Sequence, residues 1–458
     1  MEKLKNIRLR AKEDRRFKQG HPWVYSNELQ ESPKSIEAGE LIELHDASGN
    51  FLAYGFGNPN SLISFRALSR EKIESDDAKS AILNAEFFAK VIERAFQFRS
   101  SYFSNDQSYR LIYGEADGLP GLIIDRFYGT TANAANEKHA VYVIQPHAFG
   151  MDCNLELIAQ GLAIVSKKLG DSVKSVVVFR RDAGSREREG LVKEATELKL
   201  LQGLKPVPDA ETYREFWFNV SGIMGSEVQL KTDLVTGQKT GFFFDQLQNV
   251  KLTQSLLLRK LRLDREKHGP TYTYRVLDLC SYIGQWSVHL AQTFVERECL
   301  PLEVTCVDSS DSALKLADEN VTHEAKRHSG QKIAFRRLKA DVLEPMPSLK
   351  DRSFDVVIAD PPAFIKNRKS IPQGKAAYVN LFSAAIAKTA KGGLVVFCSC
   401  SQLLSSEDMI ECLAKASRRS GRRVRFIAQG TPSVDHFKQL EFSEGHYLKS
   451  WIAQVDEA

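Results

Sequence analysis

The chain has 458 residues, 43% hydrophobic and 26% charged, with a net charge of +5. That length favours two to three domains, and that apolar content excludes global disorder. No apolar run reaches the ~18 residues of a membrane-spanning helix. The start, Met1-Glu2-Lys3-Leu4-Lys5, lacks the apolar stretch of a secretory signal. The seven cysteines have no paired spacing that would indicate a zinc site or a disulfide framework. No metal is expected, and reduced thiols with a cytoplasmic location are the default.

Residues 1–70 read as a small β-rich module. Gly20-His21-Pro22-Trp23-Val24-Tyr25-Ser26-Asn27 is a turn followed by aromatics. Strands are predicted at Glu40–His45, Phe51–Phe56 and Ser61–Leu68, the first two joined by the turn-rich Asp46-Ala47-Ser48-Gly49-Asn50. Over 71–98 the apolar stripe Ala81, Ile82, Ala85, Phe88, Val91, Ile92, Ala95 predicts a helix. Mixed α/β character follows, with strands at Leu122–Asp125, Val141–Ile144 and Ser175–Phe179 and a helix over Asn154–Leu169. The polar stretch Gly129–Lys138 reads as an exposed loop. Further strand signals lie in 200–245 and end in Gly237-Gln238-Lys239-Thr240-Gly241-Phe242-Phe243-Phe244-Asp245.

From 275 onward the pattern is regular. Strands at Val276–Cys280, Glu303–Asp308, Ala334–Leu338, Phe354–Ala359 and Leu394–Cys398 alternate with helices at Gly284–Val295, Asp311–Arg327 and Ala376–Ala390. Strands alternating with helices predict a parallel, doubly wound sheet. The tail predicts an antiparallel pair, Val424–Ala428 and Tyr447–Ile452.

The basic residues are unevenly spread. They cluster over 3–18 (Lys3 to Lys18), around Lys366, Arg368, Lys369 and Lys375, and over Lys415–Arg425. Solvated helix faces would explain any one cluster. Three on an otherwise balanced chain favour a polyanion, and nucleic acid first.

Open α/β sheets bind ligands beyond the carboxyl ends of their strands. The first strand of the regular region runs into Asp278-Leu279-Cys280-Ser281-Tyr282-Ile283-Gly284, where a glycine turn lets backbone approach a ligand. The second ends at Asp308, whose carboxylate can accept both hydroxyls of a ribose. Asp341 follows the third and is placed to meet an adenine amine. The G-x-G-x-x-G fingerprint and the P-loop are both missing. One glycine with acidic strand ends suits S-adenosylmethionine, which has no pyrophosphate to cradle. The competing reading is that each Asp caps the helix that follows it.

Asp360-Pro361-Pro362-Ala363-Phe364 follows the fourth strand. Two prolines stiffen the backbone and remove two donors. Asp360 is thereby held at the sheet edge, and Phe364 offers a stacking face for a base taken out of its stack. The fifth strand ends in Ser399-Cys400-Ser401. A Cys400 thiolate adding to carbon-6 of cytosine would make carbon-5 nucleophilic toward a sulfonium methyl. Asp360 would hydrogen-bond the base. Cys280, Cys306 and Cys398 read as core.

Together these residues resemble a known family, the bacterial large-subunit ribosomal RNA cytosine-carbon-5 methyltransferases that carry an N-terminal PUA domain. The resemblance runs over nearly the whole chain. It is carried by Leu9-Arg10 through Asn27, by Arg110–Leu122, by Gly237–Phe243, by Asp360-Pro361-Pro362 and by Ser399-Cys400-Ser401. It implies a PUA domain over 1–70, a small central α/β domain over 71–200, and a class I methyltransferase domain over 201–458. It further implies S-adenosylmethionine as methyl donor, 23S ribosomal RNA as substrate and Cys400 as nucleophile. Gln238, Phe243 and Asp245 would then lie beside the methionine end of the cofactor, joining Asp278, Ser281, Tyr282, Gly284, Asp308 and Asp341. Pro361, Pro362 and Phe364 would hold the substrate base.

The chain departs from the family pattern at Ile283, Gln285 and Leu247, and Arg259–Arg275 looks inserted. Ala363 stands where two-cysteine RNA cytosine methyltransferases have a second thiol. Two other readings stay open at this level. One is methylation of an exocyclic amine such as that of guanine, which needs Asp360 but not Cys400. The other is a ribosome-assembly RNA-binding protein without catalysis. The oligomeric state is open as well, a homodimer included.

Overall fold

A computed structural model describes residues 3–74, 77–134, 136–168, 174–269, 271–299, 301–329 and 333–457. Two compact units emerge. The first comprises Met1–Asn219, Thr232–Phe242 and Asp435–Gly445, the second Val220–Lys231, Phe243–Val434 and His446–Ala458.

The first unit begins with a five-stranded sheet of β1 (Lys5–Arg8), β2 (Trp23–Tyr25), β3 (Leu41–His45), β4 (Phe51–Gly57) and β5 (Ile63–Ser69), in the order β1-β3-β4-β5-β2. Ile7, Leu9, Val24, Ile42 and Phe65, with Phe17 from the short α1 (Arg15–Lys18), form its core. The expected helix over 71–98 is two helices, α2 (Ala78–Ile82) and α3 (Ala85–Ser100). Asn84 separates them, because its side chain caps α3 by accepting from Phe87 N at 2.8 Å. The break shifts the helical phase, so Phe88, Val91, Ile92 and Ala95 are buried while Ala81 is exposed.

The second sheet contains β6 (Tyr109–Tyr113), β7 (Leu122–Thr131), β8 (Lys138–Pro146), β9 (Lys174–Phe179), β10 (Glu197–Leu200) and β11 (Phe216–Ser221). A further strand, β12 (Glu227–Thr232), lies almost wholly in the second unit. The stretch from Gly129 is not all loop: Gly129, Thr130 and Thr131 finish β7, paired with Phe218, Trp217 and Phe216. A Cβ on Gly129 would lie 1.8 Å from the Trp217 carbonyl oxygen, so this glycine serves close strand pairing rather than a turn. α4 (Phe149–Cys153) and α5 (Leu155–Lys168) pack in the same unit, and Leu169, the expected helix end, lies outside the described residues.

Several carboxylates of the first unit are matched to buried or half-buried arginines. Arg99 grips Asp117 at 2.5 and 2.7 Å, Arg110 grips Asp125 twice at 2.8 Å, and Arg186 meets Asp152 at 2.7 Å. Arg66 bridges Glu115 at 3.1 Å and Glu189 at 2.8 Å.

The second unit is built on a seven-stranded sheet ordered β15-β14-β13-β16-β17-β19-β18. These are β13 (Tyr274–Leu279), β14 (Leu302–Asp308), β15 (Ala334–Lys339), β16 (Phe354–Ala359), β17 (Thr389–Ser399), β18 (Arg422–Gly430) and β19 (Lys449–Glu457). The first five are parallel; β19 runs antiparallel between β17 and β18. Near-continuous apolar runs, such as Val356–Ala359 and Leu394–Cys398, are what a strand covered on both faces requires, and all are buried. The helices are α6 (Leu247–His268), α7 (Gln285–Glu296), α8 (Asp311–Ser329), α9 (Ile371–Lys388) and α10 (Ser406–Ser420).

The segment that looks inserted, Arg259–Arg275, contributes the last turns of α6 and the start of β13. α9 begins at Ile371, before the expected Ala376, with Pro372 in its first turn, where the missing N–H costs nothing. Strand order reverses between β13 and β16. This puts the ends of β13, β14, β16 and β17 around one crevice, the position where such sheets bind ligands.

Candidate active site

The loop after β13 is held in an unusual conformation. Cys280 (φ 67°), Tyr282 (φ 48°) and Gly284 (φ 78°) are all left-handed. Two of the three are not glycine, and such backbone persists where its surroundings hold it. The holding contacts are Cys280 N and Ser281 N to the Val307 carbonyl at 2.9 and 3.1 Å, and Tyr282 N to Asp308 Oδ2 at 2.9 Å. Gly284 then opens α7, where a Cβ would sit 3.0 Å from Ala317 Cβ of α8.

The capping alternative resolves residue by residue. Asp308 does not cap α8, whose cap is Ser310 (Ala313 N to Ser310 Oγ at 3.2 Å); its Oδ1 accepts from Ser310 N at 2.9 Å, and Oδ2 ties down the β13 loop. Asp341 accepts from Leu343 N at 2.9 Å and is exposed beyond β15. Asp278 accepts from both the backbone and the side chain of Ser287, in the first turn of α7. It is fully buried and takes a 2.8 Å hydrogen bond from Ser287 Oγ. Burial, with Asp360 and Asp308 nearby, pushes its carboxyl up to about 7.

Asp360 is oriented by neutral donors, Gln246 Nε2 to Oδ1 at 2.9 Å and Trp286 Nε1 to Oδ2 at 3.0 Å. Gln246 is itself fixed by Asn249 Nδ2 at 2.7 Å. Beside it, Gln285 Nε2 donates to the Phe243 carbonyl at 3.0 Å, and the Phe243 and Tyr282 rings meet edge-on at 5.4 Å. Asp245 is buried and accepts from the Tyr447 hydroxyl.

Cys400 lies just past β17, half-buried, with Sγ 3.8 Å from the Pro361 carbonyl. The ends of β16 and β17 are neighbours, so the sheet itself brings Cys400 to the Asp360-Pro361-Pro362 segment. Pro361 is buried and Pro362 exposed; Phe364 is half-buried, its ring 4.9 Å from Tyr378. Lys449 Nζ, nearly buried on β19, donates to the Ser401 carbonyl at 2.7 Å, which sets an ammonium group next to the thiol segment. Burial pushes the Cys280, Cys306 and Cys398 thiols up, which keeps them protonated and inert. Cys306 and Cys398 are core, as expected, whereas Cys280 is half-buried in the strained loop.

The family described as PUA-like domain matches residues 7–70. A ribosomal RNA large subunit methyltransferase of Deinococcus radiodurans is 30% identical over 448 residues, covering 96% of this chain and 95% of its own. The chain belongs to the ribosomal RNA large subunit methyltransferase family. Ribosomal RNA large subunit methyltransferase I of Escherichia coli is 28% identical, covering 95% of each chain. A Streptococcus mutans protein described as a SAM-dependent methyltransferase shares the fold, with a TM-score of 0.68 at 14% identity over 99% of this chain and 100% of its own. As a member of this family the chain is a methyltransferase, and its second unit has the class I fold.

The chemistry at the strand ends suits a nucleoside-bearing methyl donor. Gly284 lets α7 approach α8 closely, Ser281 is buried with the Cys306 thiol as a side-chain partner, and Asp308 keeps lone pairs for a diol. Gln238 belongs to the first unit, in a loop fastened by Arg180 to the Gly237 carbonyl at 2.8 Å and by Gln145 to the Lys239 carbonyl at 3.0 Å. Gln246, Trp286, Tyr378 and Lys449 escaped sequence reasoning. Gln246 and Trp286 do adjoin quoted motifs, and a buried-type polar residue next to a motif was the available signal. Among the described residues no cluster of His, Cys, Asp or Glu could hold a metal, and no helix is long and apolar enough to cross a membrane.

Proposed function

We propose that this protein transfers a methyl group from S-adenosylmethionine to carbon-5 of a cytosine in 23S ribosomal RNA, through a covalent adduct on Cys400. The observation that carries this reading is the junction of Cys400 with the Asp360-Pro361-Pro362 segment at adjacent strand ends. S-adenosylmethionine supplies an electrophilic methyl group. Gly284 and Ser281 would bind it through the β13 loop, Asp308 through its ribose, and Asp341 at its adenine end. Asp278 and Tyr282 would act through the shape of that loop. Phe243 and Asp245 are assigned to its methionine end.

The cytosine base would lie on Pro361, Pro362 and Phe364. Asp360, aimed by Gln246 and Trp286, hydrogen-bonds its edge. The Cys400 thiolate adds to carbon-6, and the electron pair moves to carbon-5, which takes the methyl group. Loss of the carbon-5 proton to a base then reforms the double bond and expels the thiolate.

The domain reading is 1–70 for the PUA-like domain, 71–200 for the central domain and 201–458 for the methyltransferase domain. We place the protein in the cytoplasm, acting on free ribosomal RNA or an assembling subunit. A homodimer is the assembly to check by sedimentation.

The test uses RNA transcribed with 5-fluorocytidine, which lacks the carbon-5 proton and traps the adduct. A band of slowed mobility on a denaturing gel is expected with S-adenosylmethionine present. If no band forms and Cys400→Ala methylates RNA at full rate, the exocyclic-amine reading replaces this one. Failure to bind S-adenosylmethionine at millimolar concentration would leave only RNA binding.

A further inference from the structure

Tyr378 lies in the middle of α9 and is fully buried. A phenylalanine would fill the same space without a hydroxyl to desolvate, so the hydroxyl needs hydrogen-bond partners. Its partners are the two residues that flank Cys400. Ser399 Oγ donates to the Tyr378 hydroxyl at 2.9 Å, and the hydroxyl lies 2.8 Å from Ser401 Oγ. The serines are also bonded to one another, Ser401 N to Ser399 Oγ at 3.2 Å. Ser401 Oγ in turn accepts from Ile365 N at 3.2 Å, on the segment that continues Asp360-Pro361-Pro362. The Phe364 ring rests on the Tyr378 ring, centroids 4.9 Å apart. One buried side chain thus touches both sides of the thiol and the strand end opposite it.

We propose that the Tyr378 hydroxyl is a positioning group that locks Ser399-Cys400-Ser401 onto the Asp360–Ile365 segment and so sets where the Cys400 thiol meets the base. The inference rests on the covalent reading of Cys400. It adds that reactivity depends on a clamp outside both strand-end motifs. Tyr378 has no route to the methyl donor in this scheme, so the cofactor site stands apart from it. Misplacing a nucleophile by about 1 Å costs roughly 100-fold in rate, without requiring weaker binding.

The experiment compares wild type with Tyr378→Phe, and with Ser399→Ala/Ser401→Ala with and without Tyr378→Phe. The probe is 23S ribosomal RNA transcribed with 5-fluorocytidine in place of cytidine. Adduct formation by Tyr378→Phe is expected to slow about 10- to 100-fold, with S-adenosylmethionine affinity within about twofold of wild type. On unmodified RNA, kcat should fall while KM holds. Adding Tyr378→Phe to the double serine variant should cost little more, because the three hydroxyls act as one unit. An adduct rate within about threefold of wild type overturns the inference, as does full additivity of the losses. A parallel loss of rate and cofactor affinity also overturns it, since that is a general loss of structure. A wild-type protein that forms no adduct defeats the covalent reading itself, and this inference with it.

Discussion

Several buried or half-buried carboxylates of the first unit and the strand-end carboxylates of the second are held in different ways. In the first, Asp117, Asp125, Asp152 and Glu189 each meet an arginine at 2.5–2.8 Å, and Arg99 and Arg186 are fully buried. In the second, the carboxylates at the strand ends are held by dipoles: Asp278 by Ser287, Asp308 by two backbone amides, Asp360 by Gln246 and Trp286. Ion pairing neutralises a carboxylate where it stands and leaves a structural joint. Neutral donors orient Asp308 and Asp360 without pairing them to a cation, whereas Asp278 is fully buried and its carboxyl is pushed up to about 7. The contrast separates scaffold from chemistry without reference to any ligand.

The contrast is open to direct attack. Its sharpest test is Cys400→Ala, which should lower methyl transfer at least ~1000-fold while calorimetry finds S-adenosylmethionine affinity unchanged. Retained activity would move the chemistry away from β17. Next, Arg99→Ala should strand the buried Asp117 and destabilise the fold by about 3–5 kcal/mol in denaturant unfolding. The folded fraction should keep its methylation rate, and a specific catalytic defect would erase the division between the units.

Asp278 sharpens the comparison through pH. Its carboxyl is raised from 3.8 to about 7, so the folded state holds the proton more tightly than the unfolded chain. That contribution is complete below about pH 4 and is lost as pH rises to about 7, with a size on the order of 2–4 kcal/mol. Asp278→Asn should gain stability relative to wild type across that window. Parallel stability curves would mean that Asp278 is not a desolvated acid. The smallest expected effect is Gln246→Ala. Loss of one neutral orienting bond to Asp360 should reduce kcat about tenfold, with the fold intact.

Much of the second unit was legible because both faces of its sheet are covered. Runs such as Val356–Ala359 and Leu394–Cys398 are apolar throughout, so the first polar residue marks the strand end, and the strand end is where the site lies. Asp308, Asp360 and Cys400 follow from that single rule, whereas Asp278 sits inside β13 and is fully buried. α6 was less legible, because its second half is charged and buries few side chains. Gly129 misled because a glycine in a polar stretch resembles a turn, whereas it answers the backbone of a strand distant in sequence. Asn84 carried the signal of a cap but sat inside an apolar stripe that looked continuous.

By itself the sequence determined the alternation of strands and helices, the acidic and thiol-bearing strand ends, and the family motifs, because these depend on local periodicity and on residue type. Only the tertiary structure decided which strand ends are neighbours, since β13 pairs with both β14 and β16 and β17 lies beside β16. It also decided that Asp360 is aimed by Gln246 and Trp286, and that Cys400 is bracketed through Tyr378 from a separate helix. Hydrogen bonds between residues 20 to more than 100 positions apart leave no periodic trace in a sequence. They exist only once burial has removed water as the competing partner.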